Sequence, residues 1–299
     1  MKEDSNIILG AGVTGLILVE LLREERYKIY SDNIGGQMAS CFPLGPRILH
    51  YTEKVEVFLN NIGIYSRPKV FKIGLRIDGV LVKDITLEDR QKYFEKTRSN
   101  SDKFSETSMS GGVHYILGWD INEIKLVKIL HQRNANRIYN REITSIDSKK
   151  KLLNGNIEYD KLISTIDLMD MLKILDGGYN YDLSDDKKEV FFYLVECKYW
   201  LKDEFDNNEK LSYLYDITHP FINRITKINY KQRVIETNIK CTNFSKYVII
   251  KEEIKNTQIR KELKINYCKG IVLEGRYAQY NHNVKANDII ENYMWGEKW

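Results

Sequence analysis

Six residues near the N-terminus have the spacing of an anion cradle. Gly10-Ala11-Gly12-Val13-Thr14-Gly15 follows directly on the apolar run Ile7-Ile8-Leu9 and opens a helical pattern in which Leu16, Leu18, Val19, Leu21 and Leu22 line one side. The run Tyr27 to Tyr30 supplies a second strand, and the resulting β-α-β context is what makes a G-x-G-x-x-G match informative. Each glycine then has a physical task. Gly10 permits the tight turn out of the strand, Gly12 lets backbone approach a pyrophosphate, and Gly15 lets the helix pack close to the strand. The helix N-terminus presents free N–H groups, including those near Val13 and Thr14, and a positive dipole end to the anion. In such folds an acidic residue about 20 positions on holds a ribose hydroxyl. Asp32 stands in that zone, and Ser31, closer to the strand end, competes with it.

The next stretch narrows the ligand. Ile34-Gly35-Gly36-Gln37-Met38-Ala39-Ser40 places a Gly-Gly pair just after the second strand, which a generic NAD site does not require. Gly10 to Ser40 resembles the FAD-binding flavoproteins of the two-dinucleotide-binding-domain type, the group of the amine oxidases, protoporphyrinogen oxidases and UDP-galactopyranose mutases. That resemblance implies FAD as cofactor, with Gly10, Gly12, Val13, Thr14, Gly15, Asp32, Gly35, Gly36, Gln37 and Ser40 around its pyrophosphate and ribose.

Later segments fit the same order. Leu44-Gly45-Pro46-Arg47-Ile48-Leu49-His50-Tyr51-Thr52 is similar to a mutase loop that lies by the flavin ring, with Arg47 replacing that loop's first histidine. His50 then either sits near the chemistry or is a packed loop histidine. Tyr159-Asp160 through Ser164-Thr165 resembles the strand that returns beneath the cofactor, which would set Thr165 near the adenine half. Pro220-Phe221-Ile222-Asn223-Arg224-Ile225 is similar to a mutase segment whose arginine faces the ligand across the flavin, with Asn223 in place of its threonine. Arg224 is the counterpart, unless it is an ordinary exposed strand arginine; a guanidinium suits a phosphate or carboxylate. Gly275-Arg276-Tyr277, followed by Tyr280, resembles the last FAD-contacting element. Mutases carry a second tyrosine where this chain has His282, which puts mutase activity in doubt.

These residues need a scaffold, and the expected fold class is α/β. The resemblance implies a Rossmann-like FAD-binding domain from residues 1–69, 113–170 and 265–299. A mixed α+β substrate domain, 70–112 and 171–264, is inserted into it. Asp78-Gly79 between apolar runs predicts a hairpin. Helices are expected over Glu53–Ile62, Leu87–Arg98, Trp119–Leu130, Leu168–Leu175, Lys246–Lys261 and Asn287–Trp295. Antiparallel strands are expected over Val190–Glu196, Leu211–Tyr215 and Val234–Lys240. Residues 99–112, rich in Ser, Asn and Gly, read as a connector or a lid over a site.

Composition sets the outer limits. The 299 residues are 42% hydrophobic and 29% charged, with a net charge of +4. That is the make-up of a folded globular chain, and the charge is too weak for a dedicated nucleic-acid binder. Cys41, Cys197, Cys241 and Cys268 lie far apart and read as reduced thiols of a cytosolic protein, and the five histidines show no metal-ligand spacing. No segment approaches the length of a bilayer span. The expectation is an FAD-dependent oxidoreductase acting through the flavin N5 on a small substrate that bears phosphate or carboxylate. Three alternatives stay open. One is a non-redox mutase-like isomerase. Another is a flavin-dependent lyase or oxidase tailoring an amine on a nucleotide or nucleic acid. The last is a non-catalytic flavin-binding protein.

Overall fold

The computed structural model describes residues 5–39, 47–83, 86–97, 115–176, 178, 187–198, 205, 211–259, 270–279 and 284–294. The chain opens with β1 (Ile7–Ala11), α1 (Val13–Leu21), β2 (Lys28–Ile34), β3 (Ile48–His50), α2 (Glu53–Asn61), β4 (Lys69–Ile77) and β5 (Val80–Val82). Next come α3 (Leu87–Thr97), β6 (Tyr115–Asp120), α4 (Leu126–Arg133) and β7 (Ile138–Asn140). A short meander follows, β8 (Ile146–Asp147), β9 (Leu152–Leu153) and β10 (Ile157–Glu158), then β11 (Leu162–Ser164) and α5 (Leu168–Ile174). The remaining elements are β12 (Lys187–Cys197), β13 (Leu211–Asp216), β14 (Ile222–Lys227), β15 (Gln232–Thr237), β16 (Tyr247–Ile259), β17 (Ile271–Leu273) and α6 (Ala286–Tyr293).

Five strands form a parallel sheet in the order β17-β11-β1-β2-β7. β1 is its centre: the chain leaves it first for β2 and β7 on one side and only later adds β11 and β17 on the other. That is a topological switch point, where open α/β sheets place their ligands beyond the strand C-termini. The apolar run of β1 is explained by burial on both faces. Ile8 packs with Leu16, Ile17, Leu126, Ile289 and Ile290, whereas Ile7 and Leu9 pack with Leu153, Leu162 and Met171. Helix α1 is likewise enclosed, with residues 15–19 all buried between the sheet and helices α4 and α6. Its polar edge is tied down by Glu20, which accepts from Arg133 at 2.9 Å and from Asn134 at 2.7 Å.

The second sheet runs β16-β12-β15-β14-β13-β4-β6-β3, with β5 paired to β4. Alternation sorts its two faces. Leu214 and Ile225 join a core with Tyr193, Val195 and Ile235, while Tyr213 belongs to the opposite side with Phe71, Ile73 and Tyr93. The hairpin expected at Asp78-Gly79 is present, and both residues have positive φ, 49° and 81°, as a tight two-residue turn demands.

Two expected helices are corrected. Lys246–Lys261 is not a helix: β16 runs Tyr247–Ile259 antiparallel to β12. Its opening Val248-Ile249-Ile250 is β-branched, and residues 247–250 alternate between buried or half-buried and exposed, a period of two that the charged Lys and Glu residues obscured. Trp119 is not helical either. It lies in β6 opposite Leu49 of β3, and the helix begins only at Leu126. The second strand is also longer than Tyr27–Tyr30 suggested, because β2 continues to Ile34 opposite Ala11.

The tightest constraint lies at Gly15. A Cβ there would fall 2.0 Å from the Gly10 carbonyl oxygen. Gly15→Ala is therefore expected to lower unfolding free energy by about 1–3 kcal/mol. Urea denaturation measures it, and an unchanged midpoint would contradict the packing described.

Candidate functional site

The site begins where β1 hands over to α1. Gly10 has φ +95°, and a Cβ on it would lie 2.8 Å from Thr165 Oγ1. Thr165 donates that hydroxyl to the carbonyls of Leu9 at 2.8 Å and Gly10 at 3.1 Å, so it fastens the turn from the neighbouring strand. Gly12 differs from both its partners. It sits at φ −72°, ψ −177°, open to any residue, and a Cβ on it would meet nothing within 4 Å. Two of the three glycines are thus demanded by the fold itself. The third faces open space at the helix N-terminus.

That N-terminus is left ready for an anion. No side chain caps α1, its first turn holds no acidic residue, and the first amide satisfied within the helix is that of Leu16, which donates to Gly12 O at 3.0 Å. The amides of Val13, Thr14 and Gly15 precede it, the donors that every helix leaves over. Other loops close around the same point. Gly35 N–H donates to Ala11 O at 2.7 Å, and a Cβ on Gly36 would be 3.2 Å from Gly12 Cα. Gly275, at φ +91°, brings the turn after β17 so near that a Cβ would be 2.9 Å from Thr14 Oγ1. Gln37 accepts from the Tyr277 hydroxyl at 3.3 Å, bridging the Gly-Gly loop to that turn. Gly10, Gly12, Val13, Thr14, Gly15, Gly35, Gly36, Gln37, Thr165 and Gly275 are therefore gathered around one crevice, with Arg276 following Gly275 in the chain.

The ribose candidates remain distinct in kind. Asp32 is exposed, whereas Ser31 is buried and exchanges hydrogen bonds with Asn33. Ser40 and Tyr280 lie outside the described residues, as do Gly45, Pro46, His282 and the 99–112 segment.

A second group of side chains comes from the large sheet. Phe192, Glu236, Arg224 and Tyr215 are successive register partners across β12, β15, β14 and β13. They form a transverse row on one face. Arg224 is not an exposed strand arginine. Its guanidinium binds Glu236 at 2.6 Å and lies 5.7 Å and 5.9 Å from the ring centres of Tyr213 and Tyr215. Its Nε is buried without a partner. Burial opposes its charge, but Glu236 together with Tyr215, Tyr213 and Tyr93 more than offsets this and holds its pKa above the ordinary value. Arg47 reaches the same face, 6.0 Å from the Phe192 ring centre. Burial and then the nearby Arg224 push the Arg47 guanidinium down to about 10. Arg276 is lowered chiefly by burial, and its Nε donates to Val284 O at 3.3 Å.

His50 is half-buried at the end of β3, held by backbone bonds in both directions to Asn287 at 3.1 Å and 2.7 Å. Burial and then Lys285 lower its pKa, so its ring is neutral at pH 7. Sequence reasoning assigned no role to Glu236, Glu274 or Arg47. Glu274 is buried beside Gly275 and accepts from Tyr293 at 2.8 Å and Gln279 at 3.0 Å. The sequence showed Glu236 as an acidic residue within an alternating run, but its pairing with Arg224 follows only from the strand order. A separate cavity of about 640 Å³, lined by Arg76, Asp216, His219, Phe221, Phe244 and Tyr247 among others, shares no lining residue with the crevice.

The chain matches no protein-family model and no curated protein. Solved structures do share its fold. A reduced UDP-galactopyranose mutase aligns with a TM-score of 0.60 at 12% identity, over 98% of this chain and 93% of its own. A CLA-producing fatty acid isomerase from P. acnes aligns at 0.59 and 10% identity, over 98% of each chain. An oxidoreductase from Methanosarcina mazei aligns at 0.54 and 10% identity, over 97% of this chain and 99% of its own. At these identities the likeness establishes the fold, and it is the Rossmann-like flavoprotein fold that the glycine motifs implied.

Gly12 separates fold from ligand. Asp is a preferred N-cap and its charge suits a helix N-terminus, so Gly12→Asp is expected to leave stability unchanged or raise it by up to about 1 kcal/mol. The same carboxylate would occupy and repel the anion site, so the variant should fail to retain a dinucleotide. Retention equal to wild type in equilibrium dialysis would overturn the assignment.

Proposed function

We propose that this chain is an FAD-dependent flavoenzyme acting on a small anionic substrate, with the cofactor's pyrophosphate at the N-terminus of α1. The observation that carries the reading is the uncapped start of α1 at the switch point, with open space in front of Gly12 and with Gly36 and Gly275 pressed against the same turn. The residues present fit the group. Backbone amides of Val13, Thr14 and Gly15 would hold the diphosphate, Asp32 or Ser31 the ribose, and the loops at Gly35-Gly36-Gln37 and Gly275-Arg276 the rest. Bound FAD would supply hydride or electron transfer at a ring whose reactive atom is N5.

The chain's own side chains do the remaining work. Arg224, rigidly paired with Glu236 and stacked between Tyr213 and Tyr215, offers a fixed cation for a substrate phosphate or carboxylate. The flanking tyrosine rings exclude water from the pair, which strengthens it. His50, neutral at pH 7, is able to accept a proton beside the start of α6.

A second reading has its own support. Two solved proteins that share the fold are a mutase and an isomerase, and the Gly45 to His50 stretch together with Arg224 resembles the mutase pattern. In that reading turnover involves no net oxidation. Purified protein is expected to be yellow and to release FAD on heating, as read by its visible spectrum and mass spectrometry. Substrate-dependent oxygen uptake would establish the oxidase reading. Turnover only after anaerobic reduction, with no electrons consumed, would establish the isomerase reading. A protein colourless both as purified and after incubation with FAD would overturn both.

A further inference from the structure

We infer that Arg47 determines substrate specificity, selecting a phosphate dianion over a carboxylate in the space between the cofactor crevice and the large sheet. The inference rests on the flavoenzyme reading for what lies beside that space, and it deepens that reading by naming the substrate's charged group.

The geometry comes from two directions. Arg47 is fixed through its backbone: its N–H donates to Asp120 Oδ1 at 3.1 Å, and its carbonyl accepts from Ile121 at 2.7 Å. The side chain then lies over Phe192. Phe192 stands opposite Glu236, and Glu236 opposite Arg224, so Arg47 meets the face of Arg224 at a residue whose backbone is two strand spacings, about 10 Å, from that of Arg224. Arg276 enters from the turn after β17. Its charge and that of Arg47 both repel Arg224, and both act on the ring of Tyr277. Three guanidiniums thus converge on one region.

Their partners do not balance them. Glu236 pairs with Arg224. Asp120 is nearby but turns one oxygen to backbone amides, those of Arg47 and Asn122. Asp288 accepts from the backbone of Lys285 at 2.7 Å, and Lys285 adds a further cation beside Arg276. Among the described residues no carboxylate forms an ion pair with the side chain of Arg47 or Arg276.

Half-buried guanidiniums without a counter-ion are costly, and a ligand anion relieves the cost. A carboxylate brings one negative charge and satisfies one fork. A phosphate monoester, with its second pKa near 6, brings two charges at pH 8 and three acceptor oxygens, enough to bridge two forks. Arg224 already has Glu236, so the added charge is answered by Arg47. The histidine that the resembling loop carries in its place would be neutral at that pH and offer no such discrimination.

Phenyl phosphate and benzoate make the comparison, because they share a ring and differ in charge. Both are titrated calorimetrically at pH 8 and low salt into flavin-loaded wild type, Arg47→Gln and Arg47→Lys. Wild type should prefer phenyl phosphate by roughly tenfold or more, the scale of one charge-assisted contact. Arg47→Gln should lose that preference while benzoate affinity changes by less than about threefold. Arg47→Lys keeps the charge but not the fork, so part of the preference should survive. Equal discrimination in wild type and Arg47→Gln would overturn the inference, and so would a wild type that does not favour phenyl phosphate. Should Arg47→Gln fail to fold, Arg47→Lys decides the matter, because undiminished phosphate affinity there would rule out the bidentate role. The flavin spectrum of each variant separates the two levels. Retained colour with lost discrimination supports Arg47 as assigned, whereas a colourless wild type that still prefers phosphate would refute the flavin and leave Arg47 standing.

Discussion

Backbone contact at one turn governs the rest of this molecule. The Gly10 carbonyl and the Gly15 Cα are so close that no side chain fits between them, and Thr165 ties the same carbonyl to the adjacent strand. This forces the first turn of α1 onto the end of β1, at the place where the sheet, built first towards β2 and β7, is later extended on the other side by β11 and β17. A helix dipole and its unsatisfied amides are thereby aimed into the crevice that such a switch point provides. The enclosing of α1 by apolar neighbours and the Glu20 clamp to α4 keep that aim fixed. Of the three glycines in the motif only Gly12 is released from packing duty, which is why its small size points to a ligand.

The second sheet supplies what a cofactor fold lacks. Its strands carry a row in which two charged residues, Glu236 and Arg224, are flanked by aromatic ones facing the same way, while the apolar residues between them build a core facing the other. Such a surface positions cations without flexible linkers, because each side chain is locked by its register partner. Arg224 shows the principle: its carboxylate comes from the next strand and its aromatic walls from the strand on the other side. Arg47 joins from a loop, held by main-chain bonds to the segment that ends β6. Positive charge is therefore concentrated close to the crevice in a chain whose net charge is small.

Much of this was legible in the sequence, and unevenly so. The glycine spacing foretold the β1-α1 turn because backbone sterics leave few alternatives there, and the Asp78-Gly79 hairpin was legible for the same reason. The parallel arrangement followed from the apolar run of β1, which only a sheet covered on both faces explains. Long-range partners were not legible. Nothing local in Glu236 reveals that it faces Arg224, and nothing in Arg47 reveals Phe192, since both pairings depend on strand order. The reading of Lys246–Lys261 as a helix failed on a related point: charged residues at helical spacing also suit an edge strand, whose outer side faces water. The failure at Trp119 was one of boundary, a strand end merging into a helix through a polar turn.

The central claim is that the pyrophosphate, and with it the adenosine half, anchors the cofactor at α1. Apoprotein titrated with FAD, FMN and riboflavin, followed by flavin fluorescence, tests this most directly. FAD should bind at least about a hundredfold more tightly than FMN, the equivalent of two or more charge-assisted contacts. FMN or riboflavin binding as tightly as FAD would contradict the account, because the glycine turn would then contribute nothing to holding the flavin.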